Sequence, residues 1–185
     1  IIQHSISVKK GITKALLVVD MPKGSYSTPN DAKKNAKKII NETKCDAVKI
    51  ESNNKNFKII NTLVKVKIPV MGHIGYTPQF KKNFMVEGKN KAEVNRLAKE
   101  AQLVEKAGAF SVILECVTPN AANKITNLIN IPTIGIGSSV HCDGQVLVTD
   151  DLLGLNQTKI KFVKRFLNIK KYINLGLKKY ASEVR

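Results

Sequence analysis

Residues 70–79, with the sequence VMGHIGYTPQ, carry the strongest indication of fold in this chain of 185 residues. They predict a short buried strand that contains His73 and runs into a loop with glycine and proline. Other apolar runs also stop at a polar or glycine-rich tip. These tips are Asp20, the pair Lys49 and Glu51, Glu115, and the pair Gly135 and Gly137. Polar groups at the carboxyl ends of successive buried strands are the means by which a β/α barrel builds an active site.

Strand-like runs alternate with helical patterns along the whole chain. The runs are nearly continuous in Val, Ile and Leu, as expected for parallel strands that are buried on both faces. They are residues 15–20, 47–51, 69–75, 111–117, 132–137 and 145–149. The helical patterns are residues 29–43, 53–66, 91–107 and 119–129, with a last region from about 160 to 182 that is interrupted near Asn168 and Gly176. Thr28 and Thr118 are the expected N-caps, and Gly108 is an expected C-cap.

This alternation predicts an α/β fold, either an open parallel sheet or a TIM-type (β/α)8 barrel with about six of its eight strands in this chain. Residues 4–11 look like the end of a helix that leads into the first visible strand. We therefore expect residues 1–185 to form a single β/α-barrel domain that is incomplete at its amino-terminal end. Its C-terminal helices should begin at about residue 160.

Composition argues against several classes of protein. The net charge of +17 invites a nucleic-acid function, but nearly all of the basic residues are Lys and they are spread over every predicted helix. A solvated basic surface is therefore favoured over a nucleic-acid site. The three cysteines form no CxxC motif, which argues against a disulfide framework or a zinc site and favours the cytoplasm. The apolar runs are too short to cross a membrane.

Three strand-tip residues suggest a cation site. Lys49 and Glu51 are separated by one residue in a predicted strand, so both side chains point to the same face. Two buried charges require a partner, a ligand or a metal, and a simple buried ion pair is the alternative. Asp20 ends the preceding strand, where a carboxylate suits Mg²⁺, although Asp at such a position also forms turns.

Two further residues suggest proton transfer. Glu115 lies inside an apolar run, where desolvation suits a general base, and a carboxylate bonded to backbone amides is the alternative. His73 is a candidate to orient a substrate carboxylate or to move a proton, or else a core histidine. His4 and His141 are weaker candidates. Gly135 is one of two glycines that could let a ligand approach the backbone.

Several short motifs resemble the ketopantoate hydroxymethyltransferase family, in the same order and spacing across essentially the whole chain. They are MGHIGYTPQ at residues 71–79, VKIE at 48–51, LECV at 114–117, PTIGIG at 132–137, HCDGQVLV at 141–148 and DLLG at 151–154. One such motif would be weak, whereas the ordered series is specific.

The resemblance implies an enzyme that transfers a hydroxymethyl group from 5,10-methylenetetrahydrofolate to 3-methyl-2-oxobutanoate. The product is ketopantoate, on the pathway to pantothenate and coenzyme A. Mg²⁺ would chelate the keto acid and stabilise the enolate that forms when the C3 proton is removed. The resemblance also implies a cytoplasmic homo-oligomer, commonly a decamer, whose partners are the small keto acid and the folate.

The resemblance implies roles for the strand-tip residues. Asp20 matches an aspartate of the metal site that also contacts substrate, and Glu51 matches a glutamate of the metal site. Lys49 matches the substrate-binding lysine, Glu115 the proton acceptor, and His73 an active-site histidine. The family's further metal-site aspartate, which a substrate-binding serine follows, has no counterpart in this chain. The alternatives are another Mg²⁺-enolate barrel of the isocitrate lyase or phosphoenolpyruvate mutase type, and an inactive fragment.

Overall fold

Strands and helices alternate along a computed structural model that describes residues 1–52, 56–156 and 163–184. The strands are β1 Val18–Asp20, β2 Ala47–Glu51, β3 Val70–Gly75, β4 Ser111–Glu115, β5 Thr133–Ile136 and β6 Gly144–Gln145. The helices are α1 Ile2–Gly11, α2 Pro29–Thr43, α3 Phe57–Lys65, α4 Lys91–Lys106, α5 Pro119–Thr126, α6 Thr149–Leu152 and α7 Ile169–Glu183.

The strands form one parallel sheet whose spatial order, β1-β2-β3-β4-β5-β6, is their order along the chain. Each long crossover between the first five strands passes through a helix, as parallel pairing requires. This arrangement is part of a β/α barrel, which confirms the predicted fold class. Because the strands run in the same direction, all of their carboxyl ends lie along one edge of the sheet.

Side chains alternate between the two faces of the sheet, so that the strand residues of the apolar core lie on one face and the candidate site residues lie on the other. In β2, Val48 and Ile50 are buried in the apolar core, whereas Lys49 and Glu51 project from the opposite face. In β3, a glycine lets α4 pack closely, because a Cβ atom on Gly72 would lie 2.4 Å from Val104 Cγ1. The helices thus cover the outer face, and the inner face is left for polar groups.

Local signals predicted most helix ends correctly. The side chain of Thr28 accepts a hydrogen bond from the Asp31 N–H, with Pro29 at the first helical position. Gly108, with φ of 93°, follows the end of α4 in the left-handed conformation that favours glycine. Thr118 precedes α5 as expected, but it does not cap that helix, because its hydroxyl donates to the Gly88 carbonyl at 2.7 Å.

Several predicted boundaries were wrong, and β4 and α5 end earlier than expected, at Glu115 and Thr126. The first strand begins at Val18, and the last has only two residues and ends at Gln145. Residue 149 begins α6 instead, where Asp150 and Asp151 in the first turn suit the helix amino terminus. The last helix begins at Ile169 and continues through Gly176 without interruption, since one glycine costs a helix only about 1 kcal/mol. The predicted start near residue 160 lies outside the described residues.

The chain divides into two compact units, Ile1–Gln145 and Val146–Arg185. The first contains the sheet and the helices α1 to α5. The second contains α6 and α7, and no residue of α7 is buried. That residues 1–185 make a single domain stays a prediction. Across the described part of the chain, none of the helices combines the length and the apolar character needed to cross a membrane.

Candidate active site

The candidate residues lie side by side because their strands pair in register. Asp20 of β1 is level with Lys49 of β2, and Glu51 of β2 is level with His73 of β3. Glu115 is the last residue of β4, which pairs with β3. All of the residues that the sequence singled out for catalysis and metal binding therefore meet at the carboxyl edge of the sheet.

Four of these side chains form a continuous line across β1 to β4. Asp20 Oδ1 lies 3.0 Å from Lys49 Nζ, and Lys49 Nζ lies 3.2 Å from His73 Nδ1. His73 Nε2 in turn lies 3.2 Å from Glu115 Oε2. The contacts at the two ends are close pairs rather than aligned hydrogen bonds, because Asp20 Oδ1 and His73 Nε2 are buried without a hydrogen-bond partner. The line thus has unmet hydrogen-bonding capacity at both ends.

His73 is neutral in this arrangement. Its side chain is 2% exposed, and burial lowers its pKa, with the Lys49 charge acting in the same direction and Glu115 in the opposite one. A lysine ammonium can only donate, so Nδ1 accepts from Lys49 and the ring proton belongs on Nε2. His73 therefore directs an N–H group toward the Glu115 carboxylate.

Glu51 is a buried carboxyl group beside this line. Its pKa is raised from 4.5 to about 7, chiefly by burial. The charges of Asp20 and Glu115 also raise it, whereas the Gln79 N–H and the Lys49 charge lower it. The Gln79 N–H donates to Glu51 Oε2 at 2.9 Å. A carboxyl group with a pKa near neutrality would lose its proton readily when a cation binds.

Asp20 and Glu51 fit a hard divalent cation. Both present carboxylate oxygens, the ligands that Mg²⁺ prefers, and the buried Asp20 Oδ1 atom has no hydrogen bond to satisfy it. Within the described residues no group of three or more His, Cys, Asp and Glu side chains is placed to hold a metal. Water and substrate oxygens would have to complete the coordination, which is usual for Mg²⁺.

Gln79, within residues 70–79, was not predicted to belong to the site. Besides its N–H bond to Glu51, its side-chain Nε2 donates to the Met21 carbonyl at 3.0 Å. Its Oε1 accepts from the Tyr26 hydroxyl at 2.8 Å. Only the position of Gln79 shortly after the strand that holds His73 could have drawn attention to it.

The backbone around Glu115 is tightly constrained. The Tyr76 N–H donates to the Glu115 carbonyl at 2.8 Å, and the Cys116 N–H donates to the Ile136 carbonyl at 2.9 Å. Cys116 has φ of 52°, an uncommon conformation for a residue other than glycine at a strand end. Gly75 has φ of 91°, and a Cβ atom there would lie 2.3 Å from the Glu115 carbonyl oxygen. These constraints fix where the Glu115 side chain begins.

A buried charge cluster, which the sequence analysis also missed, holds the loop between β3 and α4. Glu87 is 5% exposed and forms ion pairs with Lys81 and Arg96, and Arg96 also pairs with Glu100. Lys81 Nζ donates to the Gly75 carbonyl at 2.9 Å, which ties the cluster to the end of β3. Glu87 is the only acidic residue in residues 76–90, and nothing in the sequence indicated that it would be buried.

The weaker candidates lie apart from this line or have another explanation. His4 is exposed on α1, and His141 is exposed in the loop after β5. That Gly135 admits a ligand stays a prediction. A Cβ atom there would meet Gln145 Oε1 at 3.0 Å and Cys142 Sγ at 3.1 Å, so this glycine makes room for packing within the chain.

Comparisons with known proteins agree with the resemblance. The family model described as "Ketopantoate hydroxymethyltransferase" matches residues 1–185. The chain is 54% identical to a 3-methyl-2-oxobutanoate hydroxymethyltransferase of Pelagibacter ubique, over 99% of this chain and 71% of the relative. It is 44% identical to the Campylobacter curvus protein of the same name, over 98% and 69%.

Among solved structures, an orotidine 5'-monophosphate decarboxylase from Methanocaldococcus jannaschii aligns with a TM-score of 0.55 at 14% identity. The alignment covers 84% of this chain and 73% of that one. At this identity the likeness concerns the barrel fold alone.

Proposed function

The chain belongs to the ketopantoate hydroxymethyltransferase family, and from that premise we propose that it transfers a hydroxymethyl group to 3-methyl-2-oxobutanoate in pantothenate biosynthesis. We further propose 5,10-methylenetetrahydrofolate as the one-carbon donor, Mg²⁺ as the metal, and a homo-oligomer as the working form. The net change adds CH₂O to the keto acid, so the folate supplies the carbon and water supplies the oxygen.

The line from Asp20 through Lys49 and His73 to Glu115 is the observation that carries this proposal. Glu115 at one end would accept a proton, and the Asp20 carboxylate at the other end would bind a cation. A fixed positive charge, that of Lys49, lies between them. This is the set of groups that removal of a proton next to a keto group requires, since negative charge develops on the keto oxygen as the proton leaves.

Asp20 and Glu51 would hold the metal, and a bound Mg²⁺ would supply Lewis-acid stabilisation of the enolate. Asp20 contributes an oxygen atom that is buried and has no hydrogen bond. Glu51 contributes a carboxyl group whose pKa of about 7 leaves it partly protonated near neutrality, so binding would displace a proton. Both side chains lie at the edge where the substrate carbonyl and carboxylate would arrive.

Glu115 would accept the C3 proton of the keto acid, and the electron pair of the broken C–H bond would enter the enolate. Its side chain is 24% exposed, so substrate can reach it. Neutral His73 would direct its Nε2 proton toward the Glu115 carboxylate and hold it in place. Lys49 would offset the negative charge of the enolate. C3 would then form a bond to the one-carbon unit as both of that unit's bonds to folate nitrogens break. Water would supply the hydroxyl oxygen, and the two freed nitrogens would take up the proton from C3 and one proton from water.

Exchange of the C3 proton of 3-methyl-2-oxobutanoate in D₂O, followed by proton NMR, tests the first half of this reaction without folate. We expect exchange that requires Mg²⁺ and that Glu115→Gln slows by a factor on the order of 10³. Glu42→Gln, which alters an exposed carboxylate on α2, is the matched control and should exchange at the wild-type rate.

Two results would contradict the proposal. If the folded wild-type chain catalyses no exchange of the C3 proton in the presence of Mg²⁺, it does not enolise this keto acid. Exchange that survives Glu115→Gln unchanged would show that another group accepts the proton. Formation of ketopantoate after addition of 5,10-methylenetetrahydrofolate then tests the identity of the donor, and other keto acids tested in parallel define the substrate.

A further inference from the structure

Gln79 joins three separate parts of the candidate site. Its backbone N–H holds the Glu51 carboxylate of β2 at 2.9 Å. Its side chain donates to the Met21 carbonyl at 3.0 Å and accepts from the Tyr26 hydroxyl at 2.8 Å, both in the loop between β1 and α2. Gln79 itself follows β3, so it reaches across the tip of β2 to the loop that follows β1.

The partners of Gln79 are buried, which fixes its geometry. Met21 is 0% exposed, Tyr26 is 3% exposed and Glu51 is 1% exposed. A carbonyl can only accept, so the amide nitrogen must face Met21 and the amide oxygen must face the Tyr26 hydroxyl. Asn is one methylene shorter and Glu has no donor when ionised, so neither of these two relatives would keep both contacts.

The local backbone delivers Gln79 to this point. Thr77 is buried, and its carbonyl accepts from the N–H groups of Phe80 and Lys81 at 3.0 and 2.9 Å, which forms a turn around Gln79. Beside it, the rings of Phe80 and Tyr26 meet edge to face with centroids 6.4 Å apart. The two loops are therefore joined by an aromatic contact as well as by the Gln79 side chain.

We infer that Gln79 is a positioning residue, which orients the Glu51 carboxylate for the cation and fixes the loop between β1 and α2 that follows Asp20. This inference rests on the proposed role of Glu51 in holding the cation. Gln79 acts through Glu51 and Asp20 rather than on the substrate. Groups that orient metal ligands in this way affect affinity by about 10- to 100-fold when they are removed.

Binding of Mn²⁺ to the full chain without substrate, measured by electron paramagnetic resonance, tests the inference apart from activity. Gln79→Ala keeps the backbone N–H that bonds Glu51 but removes the side-chain bonds to Met21 and Tyr26 that hold this backbone in place. We expect the loosened backbone to weaken Mn²⁺ binding at least about tenfold. Gln79→Glu should weaken it similarly, because a carboxylate would face the Met21 carbonyl. Tyr26→Phe removes a single hydroxyl and should cause a smaller loss in a fold that is otherwise unchanged.

Hydrogen–deuterium exchange gives a second measurement that does not depend on the metal. In Gln79→Ala, the amides of residues 21–27 and 76–80 should exchange faster, while those of α4 and α5 keep their wild-type rates. In the Glu51→Gln background, Gln79→Ala should have a smaller effect on Mn²⁺ binding than in the wild type, because residues that act through one another are not additive.

The outcomes separate this inference from the proposed function. If the wild type binds Mn²⁺ and Gln79→Ala binds it within a factor of two, with unchanged exchange in both loops, the inference is overturned and the proposed function stands. If the wild type binds no Mn²⁺, the metal site of the proposed function fails, and the role of Gln79 toward a cation fails with it. Weaker binding with faster exchange in both loops supports the inference.

Discussion

The Nε2 atom of His73 lies 3.2 Å from the Oε2 atom of Glu115, and the opposite ring nitrogen lies 3.2 Å from the Lys49 ammonium. One neutral imidazole thus separates the proposed proton acceptor from the nearest fixed positive charge. A direct Lys49–Glu115 ion pair would hold the carboxylate in its ionised form and make it a weaker base. The histidine instead keeps the two charged groups apart.

His73→Gln should slow exchange of the C3 proton on the order of a hundredfold, because Lys49 and Glu115 both lose the group that orients them. The NMR exchange assay measures this rate. His141→Gln is the matched control, since His141 is an exposed histidine in a loop, and it should exchange within a factor of two of the wild type. Equal rates for the two variants would exclude His73 from the reaction.

Glu51 should make the stability of the chain depend on pH. Its pKa is about 7 in the folded protein and near 4.5 in the unfolded chain, so the folded state binds the proton more tightly. This contribution is fully present below about pH 4.5 and is lost as the pH rises to about 7. Burial shifts the pKa of His73 downward from 6.5, and its contribution is lost instead as the pH falls.

Glu51→Gln separates the two effects, because only the glutamate contribution disappears. We expect the difference in melting temperature between the wild type and Glu51→Gln to shift in favour of the variant as the pH rises from 4.5 to 7, in the presence of a chelator. A difference in melting temperature that stays constant between pH 4.5 and 7 would show that Glu51 titrates as an ordinary carboxyl group.

Mg²⁺ should stabilise the folded chain by an amount that increases with its concentration relative to its Kd. At a concentration 100 times the Kd, a ligand that binds only the folded state raises the free energy of unfolding by about 2.7 kcal/mol. Thermal melting with and without Mg²⁺ measures this effect. Asp20→Asn should abolish most of it, and Glu42→Gln should leave it intact. An equal rise in all three proteins would place the cation elsewhere.

Gly75→Ala should destabilise the chain and displace Glu115. The substitution combines a left-handed φ of 91° with a Cβ atom 2.3 Å from the Glu115 carbonyl oxygen. Gly24→Ala is a close control, because Gly24 has φ of 87° and open space around it. We expect a loss of about 1 kcal/mol at Gly24 and at least about 3 kcal/mol at Gly75, measured by urea denaturation. Similar losses of unfolding free energy for the two variants would mean that the backbone near Glu115 can move to make room for the added Cβ atom.

Glu87→Gln should cost about 3 kcal/mol of stability, because it leaves the charges of Lys81 and Arg96 without the buried carboxylate that compensates them. Denaturant unfolding measures the loss. Glu42→Gln breaks an exposed pair with Lys38 and should change stability by less than about 0.5 kcal/mol. A loss below 1 kcal/mol at Glu87 would contradict the importance of the cluster for the loop.

The strand tips could be predicted from the sequence because they follow from a local rule. Parallel strands share one carboxyl edge, so polar residues that end apolar runs must lie near one another. Asp20, Lys49, Glu51, His73 and Glu115 were found in this way, and the structure brings them together. Their roles in catalysis and metal binding stay predictions until the variants are measured.

The sequence could not predict features that depend on contacts between distant segments. Gln79 is polar and lies in a loop, and only the folded chain shows that it meets Met21 and Tyr26. The burial of Glu87 depends on Arg96, which approaches from α4. The last strand was predicted too long because apolar residues near 146–148 resemble a strand, yet Val146 and Val148 are exposed.

Cys45, Cys116 and Cys142 are all buried, at 6%, 1% and 8% exposure, and burial raises the pKa of the Cys116 thiol to about 12. Thiol-directed reagents should therefore modify only molecules that have opened. Because the cysteines lie at the start of β2, the tip of β4 and the approach to β6, the distribution of label among them would report which part of the sheet separates first. The native chain thus contains its own set of chemical probes for local unfolding.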